Sequence, residues 1–200
     1  MRIVRPEAPT KGRLLDAAER LMLAKGFVAT TVDEICEAAK LTKGSFFHYF
    51  ETKEALGREL LARFCTTSQE QMQGACCQER EPLKRIRALL EFMIKASKEG
   101  TDSQGCLLGT FAQELSDTNP AMRQLCAAAF ERWTQALKKD LDAARAKYAP
   151  KATFDSESLA KHFIAVVEGA KILAKAEQDD GVVEASVKHF GRYVESLLKR

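Results

Sequence analysis

The feature that most constrains this chain is the spacing of its apolar residues. From end to end they recur every three or four positions, and nowhere do they alternate over the length of a strand. Leu14, Leu15, Ala18, Leu21 and Met22 set the pattern, and Val183, Val187, Phe190, Val194 and Leu197 close it. A period of 3.6 buries one face of a helix and cannot bury one face of a sheet. The expectation is an all-α protein of about nine helices.

Punctuation between the apolar stretches gives their boundaries. Gly26 stands where a first helix ends. Thr31-Val32-Asp33-Glu34 reads as a capping box, with Ile35, Ala38 and Ala39 as the buried face of the short helix it opens. A turn at Lys40-Leu41 leads to Thr42, a second N-cap, and Lys43 to Phe50 follow. Thr52 caps a longer helix from Lys53 into the 60s or 70s. Pro82 suits the first turn of a helix to Ser97, and Asn119-Pro120 that of a helix to Tyr148. Between them lie a polar loop, 98–105, and a short helix from Cys106 to Asp117. Asp155 opens a helix to Ala176, and Gly181 precedes the last.

Composition narrows the class. With 46% apolar and 30% charged residues the chain of 200 can bury a core. Its longest unbroken apolar run, Leu125 to Phe130, is too short to span a bilayer, and the first residues lack the apolar stretch of a secretory leader, so a cytoplasmic protein is expected, with no membrane partner. The net charge is +3. All of it resides in residues 1–13, where Arg2, Arg5, Lys11 and Arg13 face Glu7 alone. Such an arm is either a solvated end or a follower of a phosphate backbone. Six cysteines, at 36, 65, 76, 77, 106 and 126, include no C-x-x-C pair, so reduced thiols are expected and neither a structural metal nor any other cofactor.

No catalytic residues are expected. Gly105-Cys106-Leu107-Leu108-Gly109 is not a nucleophile elbow, because its second glycine falls one residue late and no strand precedes it. His162 and His189 are isolated on helices, and no P-loop, dinucleotide fingerprint or His-Glu-x-x-His occurs. A thiol-dependent helical enzyme is the distant rival, and a helical adaptor another.

The helix at 31–39, turn at 40–42 and helix at 43–49 have the spacing of a helix-turn-helix, whose last helix enters the major groove. Thr31 and Thr42 put small hydroxyls at helix starts, beside the cations Lys43 and Lys53. Gly44 permits close backbone approach, Ser45 and His48 reach toward base edges, and Tyr49 presents a phenol. The competing reading makes His48 an ordinary exposed residue; Ile35, Ala38, Leu41, Phe46 and Phe50 are core.

Thr30-Thr31-Val32-Asp33-Glu34-Ile35, Leu41 to Phe50 and Lys53-Glu54-Ala55-Leu56 resemble the DNA-binding signature of TetR/AcrR-type transcriptional regulators, over residues 10–57. The resemblance implies a homodimeric repressor with a DNA-binding domain at 1–53 and an effector-sensing and dimerisation domain at 54–200. A small molecule then releases double-stranded palindromic operator DNA. It makes Thr42, Lys43, Gly44, Tyr49 and Lys53 positioning contacts, and Ser45 and His48 base readers. It assigns the dimer to the helices at 155–176 and 182–199. Two positions depart from the pattern. Lys40 stands where the family has Gly, at a left-handed cost of about 1 kcal/mol, and Phe47 where it commonly has Tyr.

An effector cavity is expected among Leu89, Phe92, Met93, Leu107, Phe111, Phe130 and Trp133, with Phe111 and Trp133 as its candidate contacts, although most such residues simply pack. Cys106 is the sharper candidate, since a helix N-terminus favours thiolate. Gly105 to Gly109, with Glu168 to Lys175, also resemble an electrophile- and oxidant-sensing branch of the family, the N-ethylmaleimide-responsive repressors. That resemblance implies a Lys175 that lowers the Cys106 pKa or traps its oxidised sulfur. The competing readings are a buried inert Cys106, a non-covalent apolar inducer, and activation in place of repression.

Overall fold

A computed structural model of the chain describes residues 9–76, 79–98 and 105–199. Arg2, Arg5 and Glu7 of the basic arm, Cys77, and residues 99–104 of the polar loop lie outside the described residues.

Nine α-helices and no strand occur among the described residues: α1 (Pro9–Lys25), α2 (Val32–Ala39), α3 (Lys43–Tyr49), α4 (Lys53–Cys76), α5 (Pro82–Lys98), α6 (Leu107–Leu115), α7 (Pro120–Tyr148), α8 (Ser156–Glu177) and α9 (Gly181–Leu198). Each predicted cap that lies in the head is made. Thr31 and Glu34 satisfy each other's orphan groups reciprocally. The Ser45 N–H donates to Thr42 Oγ1 at 3.2 Å and the Ala55 N–H to Thr52 Oγ1 at 3.0 Å. Farther on, Asn119 and Asp155 cap α7 and α8 in the same way.

Two apolar cores form, and the boundary between them does not follow the chain. The first joins α1–α4 to α6 and the front half of α7, through Leu14, Leu15, Phe46, Leu56, Phe111 and Met122. The second joins α5, the back half of α7, α8 and α9, through Ile86, Leu141, Phe163, Val187 and Phe190. In α2 the buried residues are Ile35, Cys36 and Ala39. Ala38, expected inside, is exposed, and Cys36 takes its place, because α2 leans on α1 along the Ile35–Cys36–Ala39 edge. No described helix is long and apolar enough to cross a membrane.

Candidate functional site

The head is a compact three-helix unit whose turn chemistry is explicit. Lys40 adopts φ 53°, ψ 47°, the left-handed geometry a glycine would take without strain. The Lys40 and Leu41 N–H groups then donate to the carbonyls of Glu37 and Cys36, both at 2.9 Å. Arg13 of α1 donates to the Ala39 carbonyl at 2.5 Å and the Lys40 carbonyl at 3.3 Å. Arg13 therefore closes the C-terminus of α2, and Lys11 pairs with Glu59 on α4. Both described cations of the basic arm are engaged within the protein.

The face offered by α2 and α3 contains the polar residues read from the sequence. Thr42, Lys43, Gly44 and His48 are exposed, with Ser45 and Tyr49 half-buried behind them. The Thr42 and Ser45 hydroxyls lie 3.1 Å apart. The Lys43 ammonium sits 2.8 Å from Asp33, whose hydrogen bond and charge hold its pKa above the usual lysine value. His48 and Tyr49 rings meet edge to face at 4.7 Å. Phe47 is 54% exposed on the same short helix. A β-carbon at Gly44 would meet only Thr42 Oγ1, at 3.6 Å. The protein itself leaves room for a side chain there, so any demand for glycine has to come from a molecule docked on this face. Thr31 is exposed but occupied by its capping box.

Lys53 does something the sequence reading did not expect. Its ammonium donates to the carbonyls of Phe27 at 2.9 Å and Thr30 at 2.8 Å and lies 4.5 Å from the centre of the Phe27 ring. It fastens α4 to the turn between α1 and α2. Two further side chains hold the same turn from the body of the molecule. Glu114 on α6 accepts the Val28 N–H at 2.8 Å. Lys175 on α8 donates to the carbonyls of Leu23 at 3.0 Å and Ala24 at 3.3 Å, at the end of α1.

A cavity of about 720 Å³ opens beneath the head. Phe64, Phe92, Trp133, Leu137 and Phe163 supply its apolar wall, and α1 itself contributes Asp16, Glu19, Arg20 and Leu23. Arg63 of α4 bridges to Asp16 and Glu19, each at 2.8 Å, along that wall. Trp133 is thus a wall residue, as are the expected Leu89, Phe92 and Met93. Phe111 is not. It is fully buried in the first core with its ring 5.2 Å from Phe27, edge to face, because α6 turns this side toward the head. Leu107 and Phe130 are likewise not on the wall.

Cys106 is the N-cap of α6 and lines the cavity, with its thiol buried. Only 6% of the residue is exposed. Burial first, then the Glu168 carboxylate, push its pKa from the ordinary 9.0 up to about 12, against a smaller pull from Lys171. The helix dipole is outweighed because the group has left water. Lys175, expected at this thiol, is engaged with the end of α1 instead. Cys106 and Lys175 do share a second, smaller pocket of about 330 Å³. Sequence reasoning missed Glu114, Lys171, Arg63 and the roles of Glu168 and Lys53, since no local pattern marks a side chain that works across helices. Among the described residues no cluster of His, Cys, Asp and Glu is suited to a metal.

Residues 14–60 match the family model described as bacterial regulatory proteins, tetR family, and residues 82–190 match the tetracyclin repressor-like C-terminal domain. The chain belongs to the TetR family. It is a DNA-binding transcriptional regulator, of a family that binds operator DNA, acts as dimers and responds to small molecules. It is 29% identical over 171 residues to the HTH-type transcriptional repressor DhaR of Mycobacterium sp. (strain GP1), covering 86% of this chain and 85% of that one. It is 29% identical over 188 residues to the HTH-type transcriptional repressor NemR of Escherichia coli K12, with 92% of each chain covered. The crystal structure of a regulatory protein TetR from Rhodobacter sphaeroides superposes with a TM-score of 0.83 at 28% identity, covering 93% of this chain and 99% of that one.

Proposed function

We propose that this TetR-family regulator is a homodimeric repressor that releases a palindromic operator when a small molecule enters the 720 Å³ cavity. The observation that carries this reading is that α1, a helix of the DNA-reading head, forms one wall of the cavity. A ligand there acts directly on the element that positions α2 and α3. Functionally the chain divides into a reading head at 1–53 and a sensing and dimerising body at 54–200.

On the DNA, Lys43 and Thr42 contact phosphates, Gly44 lets the backbone close in, and Tyr49 lends its phenol. Ser45 and His48 face base edges from the exposed side of α3. Lys43 meets DNA by exchanging Asp33 for a phosphate. Thr31 and Lys53 act from behind, one through its cap and the other through the turn it fastens. The dimer forms through α8 and α9. Leu159, Phe163, Val167 and Ala170 are spent on the protomer's own core, whereas Ile172 and Leu173 are about half exposed on α8, as is Tyr193 on α9. Gly169 has open space where a β-carbon would be, which suits close approach of a second helix.

The inducer binds non-covalently in this reading, with Trp133 and the aromatic wall as its contacts. A thiol held near pKa 12 has a negligible thiolate fraction at neutral pH. The test is a mobility shift on DNA upstream of the gene, with N-ethylmaleimide added to wild type and to Cys106→Ser. Retention of the complex in both supports a non-covalent inducer. Release of the wild type alone would restore the covalent sensor that the Gly105–Gly109 and Glu168–Lys175 segments suggest in sequence.

A further inference from the structure

The two pockets meet at a charged neck. Gly105, Cys106, Glu168 and Lys171 line both, so the 720 Å³ cavity and the 330 Å³ pocket adjoin at these residues. Beyond the neck the smaller pocket runs between the end of α1, α6 and α8, and its wall includes Lys25, Thr110, Gln113, Glu114 and Lys175. It has no aromatic ring on its wall, whereas the larger cavity has Phe64, Phe92, Trp133 and Phe163 beside its own charged groups. A single ligand that spans the neck therefore needs an apolar body and a polar end group.

The sign of that end group follows from how each charge is already used. Lys25 is paired with Glu34, and the Glu114 carboxylate is engaged by the Val28 N–H. Glu168 packs against Gly109 in the first turn of α6, where a β-carbon would overlap it, so its negative charge already faces the positive end of that helix. Lys171, one turn further along α8, is 8% exposed beside it. The neck is thus neutral overall. Lys175 differs from all of these. Its ammonium is met by the carbonyls of Leu23 and Ala24 and, among the described residues, by no carboxylate. Among the described residues its charge is met by carbonyl dipoles alone.

We infer that the effector is an amphipathic acid, with an apolar or aromatic body in the large cavity and a carboxylate that takes Lys175 from the end of α1. This rests on the effector-cavity reading above and adds the chemical class and the trigger. Two backbone carbonyls hold an ammonium less firmly than a carboxylate does. When Lys175 turns to the ligand, α8 loses its hold on the last turn of α1. The head keeps its other ties to the body, among them Glu114, the Phe27–Phe111 contact and the Arg63 bridges to Asp16 and Glu19, but loses this one at the last turn of α1.

The experiment uses the full chain and three matched probes: 6-phenylhexanoate, its primary amide, and 6-phenylhexylamine. Trp133 is the single tryptophan and lies on the cavity wall, so its fluorescence reports occupancy. Anisotropy of a labelled operator duplex reports release in the same sample. The acid is expected to bind and release about fivefold more tightly than the amide, the scale of one partly exposed ion pair, with the amine weakest. Lys175→Gln is expected to erase that preference while the amide still perturbs Trp133, and Lys175→Arg to retain it. Equal action of acid and amide on the wild type, or a preference that survives in Lys175→Gln, overturns the inference and leaves the cavity reading standing. If none of the three probes perturbs Trp133, the cavity reading itself fails and the inference falls with it.

Discussion

Gly26→Ala tests the junction between head and body quantitatively. Gly26 has φ +90°, and a β-carbon there would overlap the Glu114 carboxylate. Two costs are therefore expected. Backbone strain at positive φ contributes about 1–2 kcal/mol. Glu114 has also to swing aside, which breaks its 2.8 Å bond from the Val28 N–H, worth about 1 kcal/mol at this half-exposed position. The total is about 2–3 kcal/mol. Glu114→Ala alone removes only the bond, about 1 kcal/mol. Because Gly26→Ala has already broken that bond, the double variant is expected to lie about 1 kcal/mol short of additivity. Urea unfolding followed by Trp133 fluorescence measures all four corners of the cycle. Strict additivity would show that the two substitutions share no interaction and would remove Glu114 from the junction.

Further outcomes follow from the same structure. Lys43→Ala is expected to weaken operator binding and reduce the logarithmic salt slope by about 0.9 per protomer, measured by anisotropy at several salt concentrations; an unchanged slope removes Lys43 from the phosphate contacts. Asp33→Asn frees Lys43 from its partner and is expected to tighten binding in the same assay. Phe111→Ala empties a fully buried site and is expected to cost about 3–5 kcal/mol, seen as a large drop in thermal midpoint, while Phe111→Leu retains effector response. The raised thiol of Cys106 makes folding stability fully present below the ordinary thiol pKa of 9.0 and lost as pH climbs toward about 12, with Cys126, raised by burial to about 11, acting in the same direction. Cys106→Ser should flatten that alkaline decline in denaturation curves. At the other extreme the Lys25 hydrogen bond, then those from Thr31, hold Glu34 near pKa 2, so the head's capping box persists below pH 4.5 and fails as the pH falls toward 2.

Local rules made the helices and the DNA-reading unit legible. Thr31, Thr42, Thr52, Asn119 and Asp155 each announce a helix start within a few residues of chain, and the structure uses each as a cap. Lys40 was legible too, since a turn of that length demands a left-handed residue and the side chain only has to tolerate it. What the sequence could not display is contact across distance. Glu114 reaches Val28 over 86 residues and Lys175 reaches Leu23 over 152, with no periodicity to mark either. Cys106 shows the same limit in its chemistry. Its place at a helix N-terminus is local and was readable, whereas its burial and the neighbouring Glu168 come from α8 packing over it and reverse the expected direction of its pKa. Phe111 and Trp133 looked alike as aromatic residues on helices; only the side each helix turns toward its neighbours separates core from cavity wall.

The most direct measurement is selection of bound duplexes from a random-sequence library by the full-length protein, followed by footprinting of the winner. A homodimer reading DNA through α3 predicts enrichment of a palindrome and two protected half-sites related by a dyad on one face of the duplex. Enrichment of a site without two-fold symmetry, or no enrichment above competitor DNA, would contradict the account.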